Sequence, residues 1–311
     1  MFPVTPYKAT DVQLRSVLLA TDFSAASDKA LHHAVAIALN FGAKLYLMHV
    51  VSSLGLTLAG PEAIATAKTL ALKDVSMLER RLVTNGFLRH LHHQVIVREG
   101  DVRAELERVV KEERIDLVVV GTHSRPGITK LVLGSIAEQI FRNSSCPVLT
   151  VGANSPAEAQ LDPSRITRPI LFPTDFGDKS LNALPYALSI AKLRETRLVL
   201  LHTLSPVPEV RGDRWYTADD VTKIRKGALA SVIERLRALI PSSFLEVEPL
   251  CVADFGDPAE WILRTAEELQ VEGIIMGLNH TSHIDTISHL PWTTTYKVVC
   301  EAVCPVLTVR S

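Results

Sequence analysis

Two stretches of the N-terminal half carry residues of the types and spacing that suit a nucleotide. Thr21 and Asp22 follow a short apolar run at residues 17–20, and a glycine-rich segment, GTHSRPGITKLVLGS, extends from Gly121 to Ser135. The segment leads into a predicted helix, whose N-terminus would present unpaired N–H groups and a partial positive charge that favour phosphate. The pattern therefore predicts a nucleotide with its base and ribose near Asp22 and its phosphates over Gly134 and Ser135.

The elements that would position these residues follow from the apolar pattern of the N-terminal half. Short runs rich in Val, Ile and Leu alternate with amphipathic stretches, which predicts strands buried on both faces with helices between them. The predicted strands are 17–20, 44–51, 93–97, 117–121 and 148–151, and the predicted helices are 24–41, 62–85, 103–113 and 135–143. Strands that alternate with helices form parallel sheets through right-handed crossovers. The predicted fold class is therefore α/β, with an open, doubly wound parallel sheet of five strands.

The order of the strands decides where a ligand would bind. In an open parallel sheet the ligand lies beyond the carboxyl ends of the strands, at the point where the chain changes direction. If the first and fourth strands are neighbours at the centre of the sheet, Thr21, Asp22 and Gly121 line that crevice.

The C-terminal half repeats the N-terminal half. LLATDFS at 18–24 returns as LFPTDFG at 171–177, and CPVLTV at 146–151 returns at 304–309. A repeat of this length indicates a tandem duplication. The predicted strands of the second half are 170–172, 197–202, 246–252, 273–277 and 306–309, and its predicted helices are 179–192, 218–239, 258–268 and 293–300. Pro185 lies inside the first of these helices and should shift its start or bend its axis.

The chain is predicted to form two domains of similar size. The first spans 1–153 and the second 168–311. The segment between them, 154–167, has the small, polar and proline-containing composition of a linker.

The second half keeps only part of the predicted site. Asp175 stands where the first half has Asp22, but the loop reads GLNHTSHIDTISHLPW. Leu290 and Pro291 occupy the places of Gly134 and Ser135. Proline lacks an N–H group and leucine shields its neighbours, so phosphate binding is not expected there. We therefore predict nucleotide binding in the N-terminal half alone.

These motifs together resemble the universal stress protein family in its tandem form. The resemblance rests on TDFS, LMHVV, VVVGTHSRPGITKLVLGSIAEQI and SSCPVLTV, and it covers residues 16–152 and 168–310. It implies a Rossmann-like, adenine nucleotide alpha hydrolase-like fold. In members that bind ATP the loop reads Gly, two residues, Gly, nine residues, Gly, then Ser or Thr. Ser124 replaces the second glycine here, which costs about 1–3 kcal/mol of strain if that position requires a positive φ.

The resemblance also assigns residues to the adenosine end of the site. Asp22 matches the acidic residue of the family, Val50 matches the position whose backbone meets adenine, and Ala20 stands where many members have proline. The predicted site consists of Ala20, Thr21, Asp22, Val50, Val120, Gly121, His123, Ser124, Gly134, Ser135 and Ile136.

The predicted ligand is ATP or another adenine nucleotide, with Mg²⁺ as an optional companion, bound as a regulatory signal in a stress response. An enzyme is not expected, because neither half contains the GxxxxGK[ST] lysine loop and only Asp22 is placed to hold a metal or a water. Two alternatives stay open. One is a nucleotide-independent module that binds a regulatory protein partner, and the other is a slow ATPase.

Composition limits the partners and the compartment. A net charge of -1 gives no reason to expect binding to nucleic acid. The N-terminus lacks the pattern of a signal peptide, and no apolar stretch reaches the length of about 18 residues that spans a bilayer. We therefore predict a cytoplasmic protein without membrane contact.

Three other features of the sequence receive structural interpretations. The four cysteines are interpreted as structural thiols, and the histidines of the second loop, His280, His283 and His289, are more typical of a solvated loop than of a zinc site. The strands at 148–151 and 306–309 are predicted to lie at sheet edges. The family resemblance implies that they pair, so that the halves form an intrachain pseudo-dimer, and a homodimer is a further predicted assembly.

Overall fold

The computed structural model describes residues 12–52, 60–84, 91–122, 135–152, 155, 167–205, 217–241, 244–278 and 294–310. These residues fold into two compact units. One unit contains the described residues of 13–165 together with 299–310, and the other contains those of 166–298 together with Val12. The last strand therefore packs with the N-terminal half.

The N-terminal unit alternates strands and helices as predicted. Its elements are β1 (Ser16–Ala20), α1 (Ala25–Phe41), β2 (Lys44–Ser52), α2 (Pro61–Thr84), β3 (His93–Gly100), α3 (Val102–Glu112), β4 (Leu117–Gly121), α4 (Ser135–Asn143) and β5 (Val148–Val151). The five strands are parallel and lie in the order β3-β2-β1-β4-β5. Leu18 and Leu19 are fully buried although they point to opposite faces of β1. The sheet is therefore covered on both faces, which confirms the predicted α/β fold.

Helix α1 shows why the sequence begins and ends a helix where it does. Ser24 caps the N-terminus, where its side chain accepts a hydrogen bond from the Ser27 N–H. Gly42 ends the helix in the left-handed region at φ 63°. In the C-terminal unit Glu195 occupies the position that matches Gly42, and its φ is 48°. The corresponding helix of that unit therefore ends in the same left-handed conformation without a glycine.

The last strand, β10 (Val306–Arg310), pairs antiparallel with β5. Leu307 lies opposite Leu149 in the register, and the Thr308 hydroxyl donates to the Val148 carbonyl at 3.2 Å. The pairing expected between these two matching strands is therefore present. By its packing, β10 belongs to the unit of the N-terminal half.

The C-terminal unit repeats the order of elements. It contains β6 (Ile170–Pro173), α5 (Asp178–Leu181), α6 (Leu184–Leu193), β7 (Leu198–Leu204), α7 (Ala218–Ala238), β8 (Leu250–Phe255), α8 (Pro258–Glu268) and β9 (Gly273–Leu278), and α9 (Thr294–Glu301) begins in it. Its described residues form four parallel strands in the order β9-β6-β7-β8.

Two elements of this unit differ from a regular repeat because of prolines. The helix predicted at 179–192 is interrupted, and α6 restarts at Leu184 with Pro185 in its first turn, where a missing N–H breaks no helical bond. The strand predicted at 246–252 is wrong in its bounds, since β8 begins at Leu250. Pro249 directly precedes it, and proline cannot donate to a strand ladder.

Among the described residues, none of the helices combines the length and the apolar character that crossing a bilayer requires.

Candidate functional site

The first and fourth strands of the N-terminal unit are neighbours, as the predicted crevice requires. Ala20, the last residue of β1, pairs with Met48 of β2 on one side and with Val120 of β4 on the other. The chain leaves β1 toward β2, whereas β4 is followed by β5 on the opposite side of the sheet. The carboxyl ends of β1 and β4 therefore flank the point where the sheet changes direction, which is where open α/β sheets bind ligands.

Asp22 is exposed at this crevice, and its carboxylate is oriented by the start of α1. Its Oδ1 atom accepts a hydrogen bond from the Ser24 N–H at 3.1 Å and another from the Ser27 hydroxyl at 2.6 Å. Ser27 is 5% exposed. A buried hydroxyl thus fixes the orientation of a carboxylate at the surface.

Phe23 completes the turn with a strained backbone. Its φ is 62°, a left-handed value that is unusual for a bulky residue. The Phe23 N–H donates to the Thr21 hydroxyl at 3.0 Å, and its ring lies against the His49 ring with the centroids 4.7 Å apart. These contacts hold the turn in a conformation that costs about 1–3 kcal/mol.

His49 is fixed by the backbone on the other side of this turn. Its Nδ1 atom lies 2.8 Å from the Thr21 carbonyl oxygen. A carbonyl only accepts, so Nδ1 must carry the hydrogen and donate it. The structure thus gives His49, in the second half of β2, a packing and backbone role.

Gly121 forms the opposite wall because α1 passes directly against it. A Cβ atom at this position would collide with the Ala26 carbonyl and would lie 2.8 Å from the Ser27 N atom. Packing alone therefore explains this glycine. The next residue, Thr122, is buried, and its N–H donates to the Val151 carbonyl at 3.0 Å, which ties the start of the predicted loop to β5.

The described structure brings together the adenosine end of the predicted site. Ala20, Thr21, Asp22, Val120 and Gly121 lie at the adjoining ends of β1 and β4. Val50 is half-buried in β2, two residues beyond the Met48 that pairs with Ala20.

The phosphate end of the predicted site lies mostly outside the described residues. His123, Ser124 and Gly134 fall there entirely. Ser135 and Ile136 are described as the backbone that opens α4, without their side chains. A nine-residue helix therefore begins at the place predicted for the phosphates.

Ser27 is a site residue that was not predicted from the sequence. A signal for it is present in the repeat, since TDFSAAS and TDFGDKS both place a serine five residues after the aspartate. The pattern gave no chemical reason to single out that serine until the structure showed its contact.

The C-terminal unit builds the same turn. Oδ1 of Asp175 accepts from the Gly177 N–H at 2.9 Å and from the Ser180 hydroxyl at 2.6 Å. Phe176 has φ 62°, and its ring centroid lies 4.7 Å from that of His202. A Cβ atom on Gly277 would collide with the Lys179 carbonyl, so the wall of this crevice is glycine for the same reason.

The hydrogen bonds of Asp175 favour its ionised form. Burial acts in the opposite direction and by itself raises the pKa of this carboxyl. The hydrogen bonds from Ser180 and from the backbone of Gly177, together with the nearby His202, outweigh that effect and lower the pKa below its usual 3.8.

The C-terminal turn also carries a cation–ring contact. The Arg235 guanidinium of α7 lies over the Phe176 ring, 4.0 Å from its centroid. A cation over an aromatic face at this distance is attracted to the ring.

The cysteines that precede β5 and β10, Cys146 and Cys304, are held as neutral thiols. Burial raises the pKa of Cys146 to about 11 and that of Cys304 to about 12. Both residues directly precede the proline that leads into β5 or β10. Thiols of this kind are poor nucleophiles, which agrees with a structural role.

Two other places were candidates for chemistry. A cavity of about 560 Å³ is lined by Asp101, Arg103, Ala104, Glu107, Lys111 and Gln139. Its charges are mixed, and the Asp101 side chain already caps α3 by accepting from the Ala104 N–H at 2.9 Å. The histidines of the second loop, His280, His283 and His289, lie outside the described residues. Within the part of the chain that the structure describes, no three His, Cys, Asp or Glu side chains are grouped to hold a metal.

Comparison with known proteins gives a consistent result for both halves. The model of the Universal stress protein family matches residues 13–152 and again residues 167–310. A universal stress protein of Methanocaldococcus jannaschii, MJ0531, is 30% identical over 145 residues, which are 44% of this chain and 81% of that protein. Universal stress protein A homolog 2 of Coxiella burnetii is 30% identical over 142 residues and is covered to 94%.

Solved structures show that the likeness in fold extends over the whole chain. A universal stress protein from Archaeoglobus fulgidus superposes with a TM-score of 0.69 at 20% identity, covering 96% of this chain and 99% of its own. A functionally unknown protein of Pseudomonas aeruginosa, PA1789, gives a TM-score of 0.64 at 15% identity over 96% of this chain. At these sequence identities, the structural similarity is evidence for the fold alone.

Proposed function

Since the chain belongs to the universal stress protein family as a tandem of two domains, we propose that its N-terminal half binds an adenine nucleotide, such as ATP, as a regulatory ligand. The nucleotide is not turned over in this proposal. The C-terminal half serves as a second domain of the same fold without a nucleotide of its own.

The observation that carries the proposal is the crevice between β1 and β4. Asp22 stands exposed at its edge with its carboxylate held by two hydrogen bonds. An ionised carboxylate only accepts hydrogen bonds, so its partner on a ligand must be a donor, such as the hydroxyl or amino group of a nucleoside. Helix α4 begins at Ser135 on the far side of the loop, where N–H groups suit phosphate oxygens.

The residues described here fit the adenosine part of such a ligand. Asp22 supplies an acceptor, and the backbone at Val50 extends beyond the end of β1. The residues that would meet the phosphates are Gly134 and Ser135. Mg²⁺, when bound with the nucleotide, would supply positive charge to those phosphates.

Titration of the full-length chain with ATP by isothermal calorimetry, with and without Mg²⁺, tests the proposal. We expect one nucleotide per chain. Gly134→Asp places a negative charge in the predicted phosphate loop, and we expect it to weaken binding by tenfold or more, because like charges repel at short distance. Leu290→Asp makes the matched change in the second loop and should leave the affinity unchanged.

Three results would contradict parts of the proposal. No heat at millimolar ATP would refute nucleotide binding. Two nucleotides per chain would refute its restriction to the N-terminal half. Equal effects of Gly134→Asp and Leu290→Asp would refute the assignment of the phosphate loop.

A nucleotide-independent interaction module is the second candidate. The observation that favours it is that the C-terminal half keeps the complete turn around Asp175 although its loop has lost the glycine and serine that suit phosphate. On this alternative Gly134→Asp leaves stress survival and partner capture as in the wild type. Our proposal expects both to change.

A slow ATPase is distinguished by a separate measurement. It requires phosphate release that disappears in Asp22→Ala. We expect no release above the level of that variant, because Asp22 is held by Ser24 and Ser27 in the role of a binding group.

A further inference from the structure

We propose that Ser27 is a positioning residue of the nucleotide site, whose buried hydroxyl holds the Asp22 carboxylate in the orientation that accepts a hydrogen bond from the nucleoside. This inference rests on the proposed function, since it concerns how the same site recognises its ligand. Ser27 itself is buried beneath Asp22 and is assigned no contact with the ligand.

The contact itself is strong. The Ser27 hydroxyl oxygen lies 2.6 Å from Oδ1 of Asp22, a short distance typical of an O–H group that donates to an ionised carboxylate. The same oxygen lies 3.3 Å from the Asp22 N atom, whose N–H donates to it. A hydroxyl has a single hydrogen, and the shortest contact shows that this hydrogen goes to the carboxylate. Ser27 therefore restrains both the backbone and the side chain of Asp22.

The position of Ser27 is determined by both walls of the crevice. Its N–H donates to the side chain of Ser24, the residue that caps α1. On the other side, a Cβ atom added to Gly121 would lie 2.8 Å from the Ser27 N atom, so β4 packs against the first turn of α1. A rigid path thus connects the end of β4, through Ser27, to the carboxylate that follows β1. This path fixes where Asp22 stands relative to the opposite wall.

Orientation matters here because Asp22 is exposed. Without Ser27, its carboxylate would keep the bond from the Ser24 N–H but would lose the bond to the buried group. An exposed side chain with fewer restraints must be ordered further when the ligand binds, and that ordering opposes binding. A buried donor that orders it beforehand increases the affinity for the ligand.

The second half supplies an internal control. The Ser180 hydroxyl makes the matching 2.6 Å contact with Oδ1 of Asp175, in a crevice that is not expected to bind a nucleotide. Ser180→Ala therefore measures what such a bond contributes to folding alone. Any effect of Ser27→Ala on the affinity for ATP that Ser180→Ala lacks belongs to the site.

The experiment is a double-mutant cycle on the full-length chain, with ATP as the titrant. We expect Ser27→Ala to weaken ATP binding about tenfold and Ser180→Ala to leave it unchanged, with similar losses of thermal stability in the two variants. In an Asp22→Ala background, Ser27→Ala should have no further effect on affinity, because the group through which it acts is gone. A purely structural role of Ser27 would give the same weakening in both backgrounds.

The outcomes separate the two proposals. If the wild type binds ATP and Ser27→Ala binds it equally well, the positioning role is refuted and the proposed function stands. If Ser27→Ala weakens binding equally with and without Asp22, Ser27 acts on the fold and the positioning role is again refuted. If the wild type binds no ATP, the proposed function fails, and the inference fails with it.

Discussion

The crevices of the two halves are alike at one end and differ at the other. Each has a Thr-Asp-Phe turn after its first strand, with the phenylalanine at φ 62° and a histidine ring at 4.7 Å. The loops that follow the fourth strands share their first glycine but differ at the end, where Gly134 and Ser135 of GTHSRPGITKLVLGS stand against Leu290 and Pro291 of GLNHTSHIDTISHLPW. The turn has therefore been kept where the features of a phosphate site have been lost. The turn therefore does not by itself distinguish the two halves, and under our proposal the selectivity for a nucleotide comes from the loop.

The largest expected effect comes from the glycines that both crevices share. Gly121→Ala and Gly277→Ala should each reduce the free energy of unfolding by about 3 kcal/mol or more, because the new Cβ would collide with backbone atoms of Ala26 or Lys179. Gly227→Ala in α7 is the control, since an added Cβ there meets nothing within 4 Å. It should stabilise by about 1 kcal/mol. Calorimetric melting measures all three variants, and unchanged stability of Gly121→Ala would refute the packing explanation of this glycine.

The second largest effect is expected in the alkylation rates of Cys146 and Cys304, the cysteines of the repeated CPVLTV motif. At pH 8 the pKa values of about 11 and 12 leave Cys146 and Cys304 with very little thiolate. We expect Cys146 in the folded chain to react with iodoacetamide about a hundredfold more slowly than in urea, and Cys304 about a thousandfold more slowly, since each pKa unit changes the thiolate fraction about tenfold. Alkylation followed by mass spectrometry measures both rates. Equal, fast labelling of the folded protein would contradict the burial of these strands.

The dependence of stability on pH in the acid range tests the hydrogen bond from Ser180 to Asp175 in the C-terminal turn. Asp175 has a lowered pKa in the folded state, so its contribution to stability is present above its unfolded pKa and is lost as the pH falls through the lower folded value. Ser180→Ala should raise the pKa of Asp175 and remove about 1 kcal/mol of stability at pH 7, with a smaller loss in acid. NMR titration of the carboxyl groups measures the pKa of Asp175, and urea unfolding at pH 7 and at acidic pH measures the stability. An unchanged Asp175 pKa would show that Ser180 does not determine it.

The smallest effect concerns the arginine that is found over the second turn. Arg235→Ala should reduce stability by about 0.5–1 kcal/mol, because its guanidinium lies over the Phe176 ring. Arg225→Ala removes a similar contact with Phe255 at 4.7 Å from the same helix and is the matched variant. Urea unfolding measures both, and neither should alter ATP affinity if the nucleotide binds in the N-terminal half. A change in the affinity for ATP with Arg235→Ala would contradict the proposal that the nucleotide binds in the N-terminal half.

The sequence predicted the sheet well because its signals are local. Buried parallel strands read as short apolar runs, and an internal repeat checks each one against its partner. The same signals failed where a proline decides an element, as in the start of β8 after Pro249. They also contain no measure of distance between strands, so the sequence could place Asp22 and Gly121 at strand ends but could not show that α1 joins them.

The candidate site was predictable only in part for a related reason. Asp22 stands out because it follows a strand and recurs at Asp175. Ser27 recurs as well, but a serine in the first turn of a helix has many ordinary roles, such as capping. Only the 2.6 Å contact with Oδ1 of Asp22 assigns its role.

The antiparallel partner of β5 is synthesised long after β5 itself. Until residues 306–310 leave the exit tunnel, the N-terminal half lacks the neighbour that covers the edge of its sheet. A nonsense codon shortly before residue 306 should therefore harm the half of the protein that is most distant from it in sequence. Cutting the gene at the linker would likewise yield a first fragment that is prone to self-association.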